Sequence, residues 1–100
     1  MRGRYILKGQ EAISCPDVLK WSQWLEKADR TVAKDTVGVS DISTVFLGLD
    51  HSFGEGPPLL FETMVFGGSL SGEMDRYSTW DDAVGGHNAM VENVRNINNV

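Results

Sequence analysis

Six side chains carry most of the chemical potential of this 100-residue chain: Cys15, Asp50, His51, Glu55, Glu62 and His87. If the fold brought both imidazoles together with the carboxylate of Glu62 or Asp50, they would compose a two-histidine, one-carboxylate metal site with positions left open for substrate. The spacing does not demand it. Metal motifs with diagnostic power set their ligands at short fixed separations, whereas His51 and His87 stand 36 positions apart. The plainer reading makes His87 a hydrogen-bonded core residue and Asp50 a turn residue. Cys15 directly precedes Pro16 at an expected helix start, where a nucleophilic thiol is one role for it and a small capping or core residue the commoner one. No G-x-S-x-G occurs, and no nucleotide-binding, metal or cofactor motif of known spacing, so no catalytic residue is assigned and no cofactor is implied.

The elements that must position these residues centre on 43–68, STVFLGLDHSFGEGPPLLFETMVFGG, where two apolar runs flank a loop containing Gly54, Gly56, Pro57 and Pro58. β-Branched and aromatic runs bounded by Gly and Pro predict a buried antiparallel pair, with strands at 44–50 and 59–66. Upstream, RYILK and the residues from Glu11 to Ser14 flank Gly9 and predict a short hairpin or two edge strands. Pro16 suits a first helical position, and Val18, Trp21, Leu25 and Ala28 share one helical face with Trp24 beside them, so a helix is expected from Pro16 to about Arg30. A strand is expected near 32–38. After a turn through Gly67 to Gly72, Met74 to Tyr77 returns as another strand. Ser78 or Thr79 then caps a second helix ending near Arg95, with Asp81 and Asp82 in its first turn. Its apolar stripe is Trp80, Ala83, Val84, His87, Val91 and Val94. Gly85 and Gly86 inside it imply a bend or the close approach of another element. The fold class that results is α+β: one domain over 1–100, an antiparallel meander of four to five strands with two helices.

Glu62 interrupts the apolar run LLFETMVF, and alternation places it with Leu60, Met64 and Phe66, opposite Phe61, Thr63 and Val65. An unpaired buried carboxylate is costly, so Glu62 must be exposed, paired or protonated. In the preceding strand Val45, Leu47 and Leu49 share one face, and Thr44, Phe46, Gly48 and Asp50 the other. The sheet carries more apolar side chains than two short helices on one face can cover. Its second face is therefore left for a partner, for self-association as a homo-oligomer, or for cover by loops and the N-terminal hairpin. Phe53 lies in the loop HSFGEGPP, either as an anchor for a partner or folded back to seal the end of the core, the second being the commoner habit of a loop aromatic.

Charge is distributed unevenly. Residues 1–34 hold seven basic and four acidic side chains, whereas 35–100 hold two basic and ten acidic ones, within a net charge of -5. Phosphate contacts need clustered Lys and Arg, so this body is ill suited to DNA or RNA. The acidic excess serves solubility, or it steers the protein toward a basic protein surface. No stretch of roughly 18 apolar residues suits a membrane span, and MRGRYILKG lacks the apolar core of a signal peptide. With Cys15 as the only cysteine, no internal disulfide can form, which suits a reducing compartment. A soluble, cytoplasmic protein is expected.

The segment STVFLGLDHSFGEGPPLLFETMVFGG followed by RYSTWDDAVGGH, and the upstream RYILKGQEAISCPDVLKWSQWLEKADRTVAKD, resemble a family of short, mostly uncharacterised proteins encoded in tailed-bacteriophage and prophage genomes. The resemblance spans about the first 90 residues and brings no catalytic residues with it. It implies phage origin, expression in the cytoplasm of a bacterial host and an accessory role. The function expected is non-enzymatic binding of a host or phage protein, with inhibition of an antiviral defence system as one form of it. Phe53, Glu55, Asp50, Asp81 and Asp82 are the residues expected to meet the partner. The alternative is a small metal-dependent hydrolase or nucleotide-binding protein built on Asp50, His51, Glu62 and His87.

Overall fold

A computed structural model describes residues 3–98. Strands β1 (Tyr5–Lys8) and β2 (Glu11–Ser14) form an antiparallel hairpin, followed by helix α1 (Val18–Lys27). Then come β3 (Thr31–Val37), β4 (Ser40–Phe46), β5 (Phe61–Phe66) and β6 (Met74–Tyr77), and the chain closes with helix α2 (Trp80–Asn98). The last four strands make one antiparallel meander in the order β3-β4-β5-β6, and β1 and β2 form a second, two-stranded sheet. This is an α+β fold, as the sequence predicts.

The central pair forms where expected. Its ladder runs from Asp41 opposite Phe66 to Phe46 opposite Phe61, and Leu47 N to Leu60 O and His51 N to Leu59 O carry the pairing beyond the regular strands. Residues 47–50 nevertheless leave the strand because they serve two neighbours: Tyr5 N donates to Gly48 O at 2.8 Å, and Asp50 N donates to Gly3 O at 2.9 Å. Helix α1 begins later than Pro16. Asp17 is the cap, its carboxylate accepting from Leu19 N and Lys20 N, and Pro16 stands one position outside it. The helix stops at Lys27, short of Arg30, because Arg30 is already extended, its carbonyl accepting from Phe46 N. Helix α2 starts behind Thr79, whose hydroxyl accepts from Asp82 N, and runs past Arg95 to Asn98.

One face of the meander lies under α2. Ala83, His87, Met90, Val91 and Val94 form the buried stripe of that helix, at intervals of three and four residues. They meet Ile42 and Val65 at one end of the sheet. At the other end Phe46, Leu60, Phe61 and Ala83 form a second cluster, against which Tyr5, Leu7, Ala12, Trp24 and Trp80 pack. Trp24 and Phe61 each set a ring against Phe46, with centroids 5.7 and 5.3 Å away. Each fully buried Val, Leu, Ile or Phe contributes about 1.5–3 kcal/mol of transfer free energy. Alternation misplaces Leu60: it stands just before β5, outside the pleat, and turns into the core with 2 % exposure. Helix α1 buries no residue fully, and Val18 is 54 % exposed rather than part of an apolar contact face.

The opposite face of the meander carries rows set by the register: Val45, Glu62 and Arg76; Lys34, Ser43, Met64 and Met74; Thr36, Asp41 and Phe66. Glu62 is resolved by pairing, with Arg76 Nε donating to its Oε2 at 3.0 Å. Phe66 is 51 % and Met74 39 % exposed, and none of the strong element contacts sets a helix on this face.

The paired glycines of α2 separate cleanly. A Cβ on Gly86 would overlap the Tyr77 ring, so the glycine exists to let β6 and α2 approach; a Cβ on Gly85 would meet nothing within 4 Å. Gly86→Ala should therefore lower stability by about 1–3 kcal/mol through overpacking, and Gly85→Ala should raise it by about 0.5–1 kcal/mol through helix propensity. Urea denaturation of the two variants checks the opposite signs.

Candidate functional site

His87 is 1 % exposed, and both of its ring nitrogens are engaged. Nε2 lies 2.7 Å from Asp35 Oδ2 and Nδ1 lies 2.7 Å from Thr44 Oγ1; Thr44 in turn meets the Thr63 hydroxyl. A carboxylate only accepts, so Nε2–H donates to Asp35; in the neutral imidazole Nδ1 then accepts from Thr44, and Thr44 accepts from Thr63. Register places these groups together, since Thr44 is opposite both Ala33 on β3 and Thr63 on β5, while Asp35 is opposite Ile42. Acid, imidazole and hydroxyl in this order have the connectivity of a nucleophilic triad, but with its accessibility reversed. In a hydrolase the hydroxyl faces substrate. Here Thr44 and Thr63 are fully buried, and the Asp35 side chain, 52 % exposed, faces solvent. The arrangement satisfies buried polar atoms and holds α2 to β3 and β4. That agrees with His87 as a hydrogen-bonded core residue.

The other ligand candidates have separate partners. His51 Nδ1–H donates to Leu49 O at 2.7 Å, Glu62 is bound to Arg76, and Asp50 Oδ1 accepts from Ser52 N and Leu59 N at 2.8 and 3.0 Å. Asp50, His51, Glu62 and His87 are not brought into one site, and no cluster of three or more His, Cys, Asp or Glu among the described residues is arranged to hold a metal ion. Cys15 is buried two residues before the Asp17 cap, its thiol donating to the Asp17 carbonyl at 3.9 Å.

The loop between β4 and β5 presents the surface groups. Asp50 clamps its two ends by accepting from both, Ser52 turns inward at 8 % exposure, and Phe53 turns outward at 87 %. Phe53 does not fold back over the core, where Leu60 and Phe61 pack with Trp24 and Trp80 instead. Glu55 is exposed beyond it, and Asp81 and Asp82 are exposed in the first turn of α2. Pro58, at the end of the loop, and Asp81 line one cleft, whose other wall is the β1–β2 hairpin. The geometry can therefore offer an aromatic side chain and several carboxylates to one macromolecular surface. No helix among the described residues is long and apolar enough to cross a membrane.

Sequence reasoning missed Asp35, Thr44 and Thr63 as partners of His87. The available signal was that Thr44 and Thr63 each sit between inward apolar neighbours; the register that pairs them was the missing fact. Tyr77 lies beside this chain. Its hydroxyl is covered and approaches Thr63 without the geometry of a hydrogen bond. Burial raises the phenol above its usual 10.0; the nearby Thr63 hydroxyl offsets part of that rise, and the Asp75 charge adds a smaller one. The folded state thus holds this proton more tightly than the unfolded chain, so the stability it lends is intact below about pH 10 and is lost as pH rises through the folded value. Tyr77→Phe should leave stability at pH 7 unchanged or slightly higher and should lessen the loss between pH 9 and 11, read from urea midpoints. Thr44→Val should instead cost about 1–3 kcal/mol at pH 7, because it leaves buried His87 Nδ1 and the Thr63 hydroxyl short of a partner. No family model matches this chain, and neither does any curated protein or solved structure.

Proposed function

We propose that the chain is a phage or prophage accessory protein that works in the cytoplasm of a bacterial host by binding a host or phage protein, with inhibition of an antiviral defence system as one form of that role. Origin and setting rest on the sequence resemblance alone. The observation that carries the binding role is Phe53, a large aromatic 87 % exposed at a loop whose base is fixed by Asp50. Exposing such a ring in the free protein forgoes its transfer free energy, and a partner that covers it recovers that. Glu55 is exposed two residues from Phe53 in the same loop, and Asp81 and Asp82 are exposed at the start of α2; such carboxylates favour approach by a basic protein surface and oppose nucleic acid. The hydrolase reading lacks support of the same kind, since its four candidate residues are engaged apart from one another.

Affinity capture of the tagged protein from an expressing bacterium, followed by identification and reconstitution of the captured protein, tests the reading. Phe53→Ala should weaken the reconstituted complex by about 1–2 kcal/mol or more with an unchanged melting temperature, while Glu55→Gln should mainly slow association and flatten its salt dependence. Undiminished affinity in the Phe53→Ala, Glu55→Gln double variant would move the interface elsewhere, and recovery of nucleic acid without protein would sink the partner class.

A further inference from the structure

The cleft between the β1–β2 hairpin and the start of α2 has a volume of about 630 Å³ and joins Asp81, already part of the partner reading, to Tyr5, Glu11 and Trp80, which that reading leaves unused. Tyr5 and Glu11 line it from the hairpin, Trp80 and Asp81 from the helix, and Pro58 from the end of the loop that carries Phe53. We propose that this cleft receives a cationic side chain, lysine or arginine, presented by the partner protein; the inference rests on the partner reading and gives it a chemical specificity.

Two aromatic walls and two carboxylates make the case. Tyr5 and Trp80 are half-buried, so each keeps ring surface turned to the cleft, and Trp80 is held in place by an edge contact with Phe61 at 6.2 Å and 86°. Aromatic faces attract ammonium and guanidinium groups through their quadrupole, and more strongly where water is partly excluded. Glu11 and Asp81 stand on opposite walls, both exposed and neither in an ion pair among the described residues. Two features oppose a cation. Lys8 also lines the cleft, opposite Glu11 in the hairpin register, and the N-terminus of α2 bears a partial positive charge of roughly half a unit. The two lining carboxylates still exceed one lysine and that half charge, and Asp82, outside the cleft but in the same first turn, adds to the negative side. An anion fares worse, because it would face the carboxylates of Glu11 and Asp81.

The test needs no partner. The assigned amide spectrum of the full chain is titrated with N-acetyl-arginine amide, N-acetyl-lysine amide, the neutral N-acetyl-citrulline amide and acetate. The expected result is saturable movement of the Trp80 indole N–H and the Glu11 and Asp81 amides with either cation, the stronger of the two identifying guanidinium or ammonium preference, and little movement with citrulline or acetate. Glu11→Gln with Asp81→Asn, both on exposed sites, should leave the fold intact and weaken the response about fivefold to tenfold. An equal response to citrulline, a response to acetate alone, or cation shifts centred on Trp21 instead of Trp80 would overturn the proposal. If no cation binds while capture still depends on Phe53, the cleft assignment fails and the partner reading stands. If cations bind at Trp80 while capture ignores Phe53 and Glu55, the cleft assignment stands and the loop interface fails.

Discussion

The carbonyl of Gly48 accepts two hydrogen bonds, from Tyr5 N and from Trp21 Nε1, both at 2.8 Å, and the N-terminal third of the molecule is tied to the meander around it. Neither donor could reach that oxygen if β4 continued straight. Gly48 turns the strand with φ +79°, a conformation costly for any residue with a side chain, and Leu25 Cδ2 sits 2.8 Å from where a Cβ would be. Glycine therefore answers a backbone demand and a packing demand at one position. Helix α1 buries no residue of its own, so its attachment depends on Trp21 and Leu25 meeting this bend and on Trp24 reaching Phe46. The hairpin follows, because the neighbouring Arg4–Leu49 bridge and the bond from Asp50 N to Gly3 O set its distance from the sheet. The cleft and the outward loop are both consequences of that placement.

The second organising device is polar. His87, Thr44 and Thr63 occupy the middle of the helix–sheet interface, with Ile42 and Val65 on one side and Phe46 and Phe61 on the other. An apolar interface tolerates sliding of a helix along a sheet, whereas a chain of directional bonds with each buried atom satisfied does not. Ending that chain on solvent-facing Asp35 leaves its charge hydrated, which avoids the desolvation penalty of a fully buried ion.

Much of this was legible in the residues, and the rest fails for nameable reasons. The central pair, the returning strand at Met74, the Thr79 cap and the α2 stripe follow from periodicity and turn chemistry, which are local properties of the chain. Glu62 announced its need for a partner but not Arg76, because a cross-strand partner is a matter of register, and one residue of slip exchanges the faces. His87 was legible as a core histidine, while Asp35 and Thr44 as its partners depended on which strands became neighbours. Phe53 admitted two readings, anchor or core seal, and local pattern could not choose between them; the ring is exposed, while Trp24 and Trp80 pack at that end of the core. Pro16 misled by two positions, because Asp17 beside it is the cap and Val18 the first helical residue.

A sheet covered by one helix on one face makes a slab rather than a sphere. Its extents are 49 × 30 × 20 Å and its radius of gyration is 14.6 Å, against roughly 13 Å for a compact chain of this length. The accessible surface of 6214 Å² likewise exceeds the roughly 5,600 Å² usual at 11.0 kDa. Flatness thus trades core depth for area. A two-layer interior has little depth from which neighbours can relax into a vacancy, so truncation of its buried side chains is costly. The outward sides, by contrast, offer a short polypeptide unusually wide frontage for the number of residues it must encode.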